Sequence, residues 1–349
     1  MPTLPAETLR LLFKDIFGAI GTPEVGAERV AGSLVRSNLV GHDSHGAIRV
    51  PQYVRAVREG RIDPSAVPTV ERDTPTTALV DGHWGWGQIA AASAAAVAID
   101  KARRMQMAAV GLYQSTHIGR VGEYAEDIAR QGLVALITVN NHGGAPQVAP
   151  FGGCERRLSS NPIAFAAPTS GDPLLVDMTS SVVAEGKVRV LRNQGGLAPD
   201  GWLIDASGRP TRDPNVLYSD PPGALLPLGG PLGHKGYGLS VLIEVLSGAL
   251  TGAGCSCLAA PRIGNAAFIQ AVRVDSFTSR ERYYAEVDGM IDWLKSCKPA
   301  EGFEEVLLPG EPERRTERQR RLRGIPIDEE TWHQICETAE SLGVAVPGL

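Results

Sequence analysis

Several patterns that would narrow the function of this chain are missing from its sequence. It has five cysteines, an odd number, and no Cys-x-x-Cys pair, so we expect a reduced, cytoplasmic protein. Cys255 and Cys257 resemble half of a metal site, but no second pair completes it, and we expect no metal ion. No run of about 18 apolar residues occurs, which predicts that no helix spans a membrane.

The net charge argues against a nucleic-acid-binding protein, and the first residues argue against a signal peptide. The net charge is -5 at neutral pH, which argues against a nucleic-acid partner. The arginine cluster between Arg314 and Arg323 is interleaved with acidic residues and lacks aromatic ones, so it predicts a solvated helix face. Residues 1–7 lack the basic and apolar segments of a signal peptide, which again favours the cytoplasm.

The usual sequence signatures of a dinucleotide site are also incomplete. No Walker A sequence and no full Gly-x-Gly-x-x-Gly occurs. The segment from Gly85 to Ala90 fits a looser form between a predicted strand and helix, but the following strand, residues 107–113, has no acidic residue to hold a ribose. A dinucleotide would therefore bind without a Rossmann motif.

The apolar periodicity predicts a mixed α/β fold. The chain has 349 residues, of which 43% are hydrophobic, enough for a sizeable core and two domains. Helical spacing marks residues 6–58 and most of the chain after residue 278. Between them, helices alternate with strands, and the predicted segments are helices 88–104, 121–131, 182–192 and 238–250 and strands 77–80, 107–113, 133–139, 174–178 and 267–274.

The densest group of reactive side chains lies between Gly41 and Arg49, where two histidines, a carboxylate, a hydroxyl and a guanidinium occur within nine residues. Imidazole exchanges protons near neutral pH, and a guanidinium holds a carboxylate through two parallel hydrogen bonds. Arg49 follows His45 by four residues, so a helix would place both on one face. The combination suits reduction of a 2-oxo acid, although a helix terminus capped by Asp43 or Ser44 explains it equally well.

Two loops after predicted strands carry further candidates. His117 lies at a strand end followed by a helix, where catalytic side chains collect, and we favour a function over a polar cap. The segments 140–146 and 159–162 offer amide and backbone donors for a phosphate or a carboxamide, although surface turns explain them equally well.

Two predicted helix starts carry candidates for anion binding. Residues 177–181 place hydroxyls before a helix, where they would cap it or hold a diphosphate. Residues 229–238 surround Lys235 with five glycines before an apolar helix, a pattern typical of an anion site or of a flexible turn.

In combination, the motifs resemble the non-Rossmann malate/L-lactate dehydrogenase family, which also contains ureidoglycolate, sulfolactate and 2,3-diketogulonate oxidoreductases and cyclic-imine reductases. The likeness extends from about residue 10 to residue 345. The segments that carry it are Asp43–Gly46 with Arg49, Ser115–Gly122 with His117, Val148–Gly153, Asn161–Phe165, Asp177–Met178 leading to Gly186–Lys187, Gly233–Gly238 and Leu308–Glu311.

The resemblance implies a fold, a cofactor and a partner. We expect a homodimer with a helical domain built from residues 1–75 and 276–349. The central domain, residues 76–275, would bind NAD or NADP on an unusual mixed sheet, and the substrate would be a small carboxylate.

The resemblance also assigns site residues. The catalytic histidine corresponds to His45, assisted by Ser44, the second active-site histidine to His117, and the carboxylate-binding arginine to Arg49. The cofactor contacts correspond to Asn141, Asn161, Asp177, Met178, Thr179, Ser180, Ser181, His234, Lys235, Pro309, Gly310 and Glu311.

Two segments depart from the family. Relatives carry a Ser-Pro-type loop where this chain has Asn141–Ala145, which affects the local cofactor contacts and the substrate fit. The segment 253–265 is also shorter than the corresponding segment in members of the family.

These observations predict hydride transfer between a nicotinamide and a 2-hydroxy or 2-oxo acid, with a proton exchanged by His45. Reduction of a cyclic C=N bond on the same fold is the nearest alternative, because both substrates present a carboxylate and an sp2 carbon. A catalytically silent ligand-binding module is less consistent with the presence of both His45 and Arg49, and a metal hydrolase lacks a suitable ligand cluster.

Overall fold

A computed structural model describes residues 2–144, 146–193, 195–257 and 262–347. The helices are α1 Ala6–Ala19, α2 Glu24–Leu39, α3 Val50–Arg58, α4 Gly87–Met105, α5 Val121–Ala129, α6 Glu185–Asn193, α7 His234–Ile243, α8 Arg280–Lys295, α9 Glu311–Arg323 and α10 Glu329–Glu340. The strands are β1 Thr3–Leu4, β2 Thr69–Asp73, β3 Thr77–Asp81, β4 Met107–Ser115, β5 Leu133–His142, β6 Pro162–Ala167, β7 Leu174–Thr179, β8 Leu203–Ile204, β9 Pro210–Thr211, β10 Ala224–Leu225, β11 Gly264–Arg273 and β12 Ile325–Pro326. In this described part, no helix has the length and apolar character needed to traverse a bilayer.

A seven-stranded mixed sheet forms the centre of the molecule, which confirms the predicted mixed α/β class. Its strand order is β2-β3-β4-β11-β5-β6-β7, and of these neighbouring pairs only β3 and β4 run parallel. Alternate residues of β4, namely Ala108, Val110 and Leu112, are buried in a core that α4 and α5 complete. The alternation buries one face of the strand, as the period of two residues requires. On the opposite face Thr138 of β5 hydrogen-bonds Ser247, which lies in the π-helical turn after α7.

The first and last residues of the described chain share a second hydrophobic core. Side chains of α1, α2, α3 and α10 form it, and β1 pairs with β12 through Thr3 and Leu4. A period of 3.6 residues explains the burial of Leu9, Phe13 and Ile16 on one stripe of α1. This contact between the two ends is consistent with one helical domain, whereas the boundaries at residues 75 and 276 stay a prediction.

Residues 182–227 contribute a third, smaller core that sequence periodicity did not predict. The short strands β8, β9 and β10 form a three-stranded sheet, and Val188 of α6 packs with Leu203 and Leu217 beside it. Two-residue strands carry too little pattern for recognition from sequence. The N-terminal turn of α6 lies against the Gly41–Arg49 segment, because a Cβ at Gly186 would meet Ser44 Cβ at 3.4 Å.

Several predicted elements differ from the observed ones at their ends. The helix predicted over 182–192 begins only at Glu185, and the apolar helix predicted over 238–250 begins at His234 and ends in a π-helical turn. The segment expected to be a loop around Pro162 continues into strand β6. Proline is tolerated there because it is the first residue of the strand.

Glycine at position 87 allows the start of α4 to touch the loop that carries His117. A Cβ at Gly87 would lie 2.3 Å from the backbone oxygen of His117, a separation that real Cβ atoms do not reach. The Gly87 N–H also donates to Thr116 Oγ1 at 3.1 Å. The close approach therefore fixes the position of the His117 backbone against α4.

We predict that Gly87→Ala lowers the free energy of unfolding by about 1–3 kcal/mol, because the added methyl group displaces the His117 loop. Denaturant titration measures this change. The control is Gly32→Ala in α2, where the added Cβ meets nothing within 4 Å and removal of a helical glycine should stabilise by about 0.5–1 kcal/mol. Equal stability of the Gly87→Ala variant and the parent chain would contradict the close contact.

Candidate active site

Most of the predicted site residues lie along one edge of the central sheet, which we call the site edge. It consists of the ends of β4, β5 and β7 and the starts of β6 and β11. His142 at the end of β5 pairs with Gly264 at the start of β11. The Ser180 N–H, just after the end of β7, donates to the Ser160 oxygen, just before the start of β6, at 2.9 Å. Antiparallel pairing thus brings together loops that are far apart in sequence.

The Gly41–Arg49 segment is not the continuous helix that its spacing allowed. Two short 3-10 turns, Asp43–His45 and Ala47–Arg49, are separated by Gly46. The buried amide of Asn38 interrupts the helix, because its Oδ1 accepts from the Ala47 N–H at 2.7 Å. A Cβ at position 46 would lie 2.1 Å from that oxygen, so only glycine fits there.

Arg49 is held on one side and open on the other. Its Nε donates to the Ser44 backbone oxygen at 2.7 Å, and one Nη1 hydrogen goes to Gln52 Oε1 at 2.7 Å. Its Nη2 atom hydrogen-bonds no group among the described residues. The guanidinium is therefore fixed in orientation while hydrogens remain available for a carboxylate.

His45 and His117 form a stacked pair at the site edge. Their ring centroids are 5.4 Å apart, and the ring planes differ by 20°. Ser44 Oγ lies 3.0 Å from His45 Nδ1. The structure thus brings together the four residues Ser44, His45, Arg49 and His117, which the sequence had placed on two separate segments.

Two buried residues that sequence reasoning missed support His117. The Tyr53 hydroxyl lies 2.7 Å from His117 Nδ1, and Gln88 Nε2 donates to that hydroxyl at 2.8 Å. Tyr53 follows Arg49 by four residues at the start of α3, a helical spacing that predicts a shared face. Gln88 is a polar residue within an Ala-rich helix, and it is completely buried.

Burial keeps both imidazoles neutral in the free protein. Desolvation and the Arg49 charge lower the pKa of His45 to about 3. Desolvation, Arg49 and His45 hold the pKa of His117 well below its usual value. The carboxylate of Asp43 does not oppose this effect on His45, because it turns to Arg320 Nη1 at 2.6 Å and to Asn38.

His42 lies outside the pair. Its Nε2 is 3.6 Å from Glu313 Oε1, and this contact lowers the pKa of the Glu313 carboxyl group. The structure therefore separates the two histidines of the Gly41–Arg49 segment, of which only His45 faces His117.

The predicted cofactor residues around Ser180 meet at the site edge. Asn161 Nδ2 donates to Glu244 Oε1 at 2.8 Å and to Ser240 Oγ at 3.0 Å, which joins the start of β6 to α7. The hydroxyls of Thr179, Ser180 and Ser181 each donate to a nearby backbone oxygen, those of Ser181, Ser160 and Val183 respectively. His234 and Lys235 are exposed at the beginning of α7.

Asp177 and the Pro309–Glu311 segment have clear structural contacts as well. Asp177 Oδ2 accepts from the Gly122 N–H at 3.0 Å, which caps the first turn of α5. Met178 is 40% exposed. The Pro309 oxygen accepts from the Leu175 N–H, and Gly310 contacts Leu175 at the beginning of β7. Glu311 accepts hydrogen bonds from Lys295 and from the Leu308 N–H.

Glu244 is a buried carboxylate that sequence analysis overlooked. Besides Asn161, it accepts hydrogen bonds from the backbone N–H and the hydroxyl of Ser256 at 2.8 and 2.6 Å. The Ser256 hydroxyl oxygen also lies 3.2 Å from the backbone oxygen of Asn141. The carboxylate therefore links the segment between Cys255 and Cys257 to the site edge.

The loop that departs from the family carries a buried histidine. His142 is 3% exposed, its ring hydrogen-bonds no group among the described residues, and the ring packs edge to face with Trp84 at 5.9 Å between centroids. Burial lowers its pKa. Ala145 of this loop and residues 258–261 of the short segment lie outside the described residues.

Two buried amide oxygens at the site edge lack hydrogen-bond donors, which is consistent with the binding of a polar ligand there. The side-chain oxygens of Asn140 and Asn161 are buried and accept no hydrogen bond from the part of the chain that the structure describes. Buried amide oxygens are rarely left unpaired, so a ligand N–H such as that of a carboxamide would complete them. Among residues that the structure describes, no three His, Cys, Asp or Glu side chains are grouped for a metal ion.

Comparisons with known proteins show which family the sequence matches. The profile of the family described as malate/L-lactate dehydrogenase matches residues 4–336. Hydroxycarboxylate dehydrogenase B of Escherichia coli O157:H7 is 35% identical over 345 residues, which cover 97% of this chain and 94% of the relative.

Two solved structures extend the comparison to the fold. Malate dehydrogenase from Pyrococcus horikoshii superimposes with a TM-score of 0.89 at 32% identity, covering 99% of this chain and 97% of that one. Delta1-piperideine-2-carboxylate reductase from Pseudomonas syringae has a TM-score of 0.82 at 30% identity, covering 97% and 100%.

We predict that His45 makes the stability of the protein depend on pH below neutrality. Its pKa is about 3 when folded and 6.5 when free, so only the unfolded chain binds this proton between those values. Stability present above pH 6.5 is therefore lost as the pH falls towards 3. Between pH 6 and 4 the free energy of unfolding should fall more steeply in the parent chain than in His45→Gln, by up to about 1.4 kcal/mol per pH unit.

Denaturant titrations of both proteins at each pH measure the difference. Carboxylates titrate in the same range, but they contribute to both proteins and cancel in the comparison. Parallel curves for the two proteins would contradict the neutral, desolvated state of His45.

Proposed function

We propose a function for this chain from one established premise, namely that the chain belongs to the malate/L-lactate dehydrogenase family. Relatives in this family are named dehydrogenases of malate, L-lactate and L-sulfolactate, so the chain is an oxidoreductase of hydroxy acids. Our proposal is NAD- or NADP-dependent interconversion of a 2-hydroxy and a 2-oxo carboxylic acid.

The observation that carries this proposal is the open side of Arg49 beside the two stacked imidazoles. Arg49 is oriented by Ser44 and Gln52, so its free Nη2 hydrogens are available to the carboxylate of the substrate. The carbon next to that carboxylate would then lie near His45 and His117. Fixing the orientation of the carboxylate accounts for much of the rate gain expected from positioning.

We assign the proton exchange to His45, with Ser44 as its hydrogen-bond partner. In reduction His45 donates a proton to the developing alkoxide, and in oxidation it accepts one. Arg49 disfavours the protonated ring in the free protein. A bound carboxylate would offset the Arg49 charge and thereby raise the pKa of His45 when substrate arrives.

The residues of the site edge would hold the cofactor. Asn161 and Asn141, the segment 177–181, and His234 with Lys235 are the proposed contacts there. The segment 309–311, at the other end of β7, is a further proposed contact. When bound, the nicotinamide supplies or accepts the hydride. The buried, unpaired oxygen of Asn161 and the exposed cation of Lys235 are the features of this chain that suit a dinucleotide. We propose no metal ion for this reaction.

Reduction of a cyclic imine is the second candidate. It is favoured by one observation, the likeness to delta1-piperideine-2-carboxylate reductase over 97% of this chain. A cyclic imino acid also presents a carboxylate to Arg49 and an sp2 carbon to the histidine pair.

A panel of 2-oxo acids and cyclic imino acids, assayed with NADH and with NADPH by nicotinamide absorbance, distinguishes the candidates. Turnover of a 2-oxo acid supports the first, and turnover of an imine alone supports the second. No turnover of any carboxylate substrate, with binding retained, would favour a silent ligand-binding module.

We predict that Arg49→Lys lowers kcat/KM for the best carboxylate substrate by about 30- to 1000-fold, because an ammonium cannot form two parallel hydrogen bonds. Steady-state kinetics measure the loss. The control is Arg10→Lys, which makes the same change in an exposed ion pair with Glu7 on α1 and should leave kcat/KM within about twofold. An unchanged kcat/KM in Arg49→Lys would refute its role.

We predict that Lys235→Ala raises the Kd of reduced cofactor by about tenfold, since one exposed charge contact to a phosphate is lost. Fluorescence titration of NADH and NADPH measures this Kd. Lys14→Ala removes the same charge from α1, where Lys14 pairs with Glu24, and should leave the Kd unchanged. Equal cofactor affinity of the Lys235→Ala variant would remove Lys235 from the site.

We further propose a cytoplasmic homodimer that binds neither nucleic acid nor membrane. Helix α8 supports the dimer, because none of its residues is buried in the single chain although Trp293 is 73% and Met290 is 45% exposed. Exposed apolar area of this kind is typical of an interface. The five free cysteines are consistent with a reducing compartment.

A further inference from the structure

His117 ends a chain of two hydrogen bonds that is shielded from solvent. Gln88 Nε2 lies 2.8 Å from the Tyr53 oxygen, and that oxygen lies 2.7 Å from His117 Nδ1. Tyr53 is 2% exposed and Gln88 is fully buried. Because water does not reach the Tyr53 and Gln88 side chains, their hydrogens must be donated to one another or to His117.

The donor and the acceptor in each of these two hydrogen bonds follow from which atoms carry a hydrogen. An amide nitrogen is a donor only, so Gln88 must give a hydrogen to the Tyr53 oxygen. Tyr53 has a single hydrogen, and His117 Nδ1 is the acceptor within reach. Burial raises the pKa of Tyr53 to about 12, so the hydroxyl keeps that hydrogen at neutral pH.

We infer that Tyr53 and Gln88 are positioning residues that fix His117 as the tautomer protonated on Nε2. This inference deepens the proposed function and rests on it where the substrate is concerned. A neutral ring with Nδ1 occupied by a donor carries its hydrogen on Nε2. The ring then offers a hydrogen bond to the carbonyl or alkoxide oxygen of the substrate.

The hydrogen bonds from Gln88 to Tyr53 and from Tyr53 to His117 also give the two histidines different roles. Protonation of His117 on Nδ1 would require the Tyr53 hydroxyl to turn away and the Gln88 amide to rotate, so that the unpaired Gln88 Oε1 accepts the hydroxyl hydrogen in place of Nδ1. His45 has no such restriction, because its Nδ1 faces the Ser44 hydroxyl, which rotates to donate or to accept. His117 would therefore orient and polarise the substrate oxygen, while His45 changes its protonation state during turnover.

Nitrogen NMR of the free protein tests the tautomer directly. In protein labelled with 15N-histidine, a protonated and an unprotonated ring nitrogen have well-separated chemical shifts. The chain has seven histidines, and the His117 signals are those lost in His117→Ala. We expect Nε2 protonated and Nδ1 unprotonated in the parent protein at neutral pH. A His117 signal with the proton on Nδ1 would overturn the inference.

The variant Tyr53→Phe removes the donor while it keeps the ring. We expect the Nδ1 signal of His117 to shift, as the hydrogen bond is lost, and the share of the Nδ1-protonated form to rise. Tyr124→Phe is the matched control, because Tyr124 is equally buried and donates to the backbone oxygen of Ile118, next to His117. Unchanged His117 signals in Tyr53→Phe, or the same change in both variants, would refute the positioning role.

Kinetics give the second measurement. We expect kcat for a 2-oxo acid to fall about tenfold in Tyr53→Phe, with the Kd of reduced cofactor within about twofold, because the hydrogen bond acts on the substrate oxygen. A loss of cofactor affinity equal to the loss of kcat would indicate a merely structural role. The NMR measurement needs no substrate, so it decides on the tautomer even if no 2-oxo acid or imine is turned over.

Discussion

Desolvation of two imidazoles beside one guanidinium is the constraint on which the rest of the site depends. His45 and His117 stack at 5.4 Å, and both are held neutral by burial and by Arg49. Two adjacent charged rings would be unstable in this environment, so both rings are neutral. A neutral ring carries one hydrogen on one of its two nitrogens, and a hydrogen-bond partner determines which nitrogen carries it. Ser44 is the hydrogen-bond partner of His45, and Tyr53 is the hydrogen-bond partner of His117.

The scaffold satisfies this constraint by close backbone contacts rather than by long side chains. Gly46 fits under the Asn38 amide, and Gly87 fits against the backbone oxygen of His117. The first contact positions the segment that carries His45, and the second positions the loop that carries His117. The two histidines, which are 72 residues apart in sequence, therefore lie face to face.

The buried carboxylate of Glu244 organises the other half of the site edge. It accepts hydrogen bonds from Asn161 and from Ser256, while the side-chain oxygens of Asn161 and Asn140 have no partner among the described residues. A preformed polar surface of this kind suits a ligand that contributes hydrogen-bond donors. The cofactor site proposed here would therefore not require the complete glycine motif.

The sequence alone determined the mixed α/β class, most helices and strands between residues 76 and 275, and the family. Hydrophobic periodicity and several short motifs are local properties, and they are readable without tertiary contacts. Thus α4 was predicted over residues 88–104, nearly the range it occupies, and His45, Arg49 and His117 were recognised as candidates. Only the tertiary structure decided that residues 43–49 form two turns, because the interruption comes from Asn38 on another helix. It alone placed Tyr53 and Gln88 behind His117 and turned Asp43 towards Arg320, since hydrogen-bond partners and desolvation depend on neighbours that are distant in sequence.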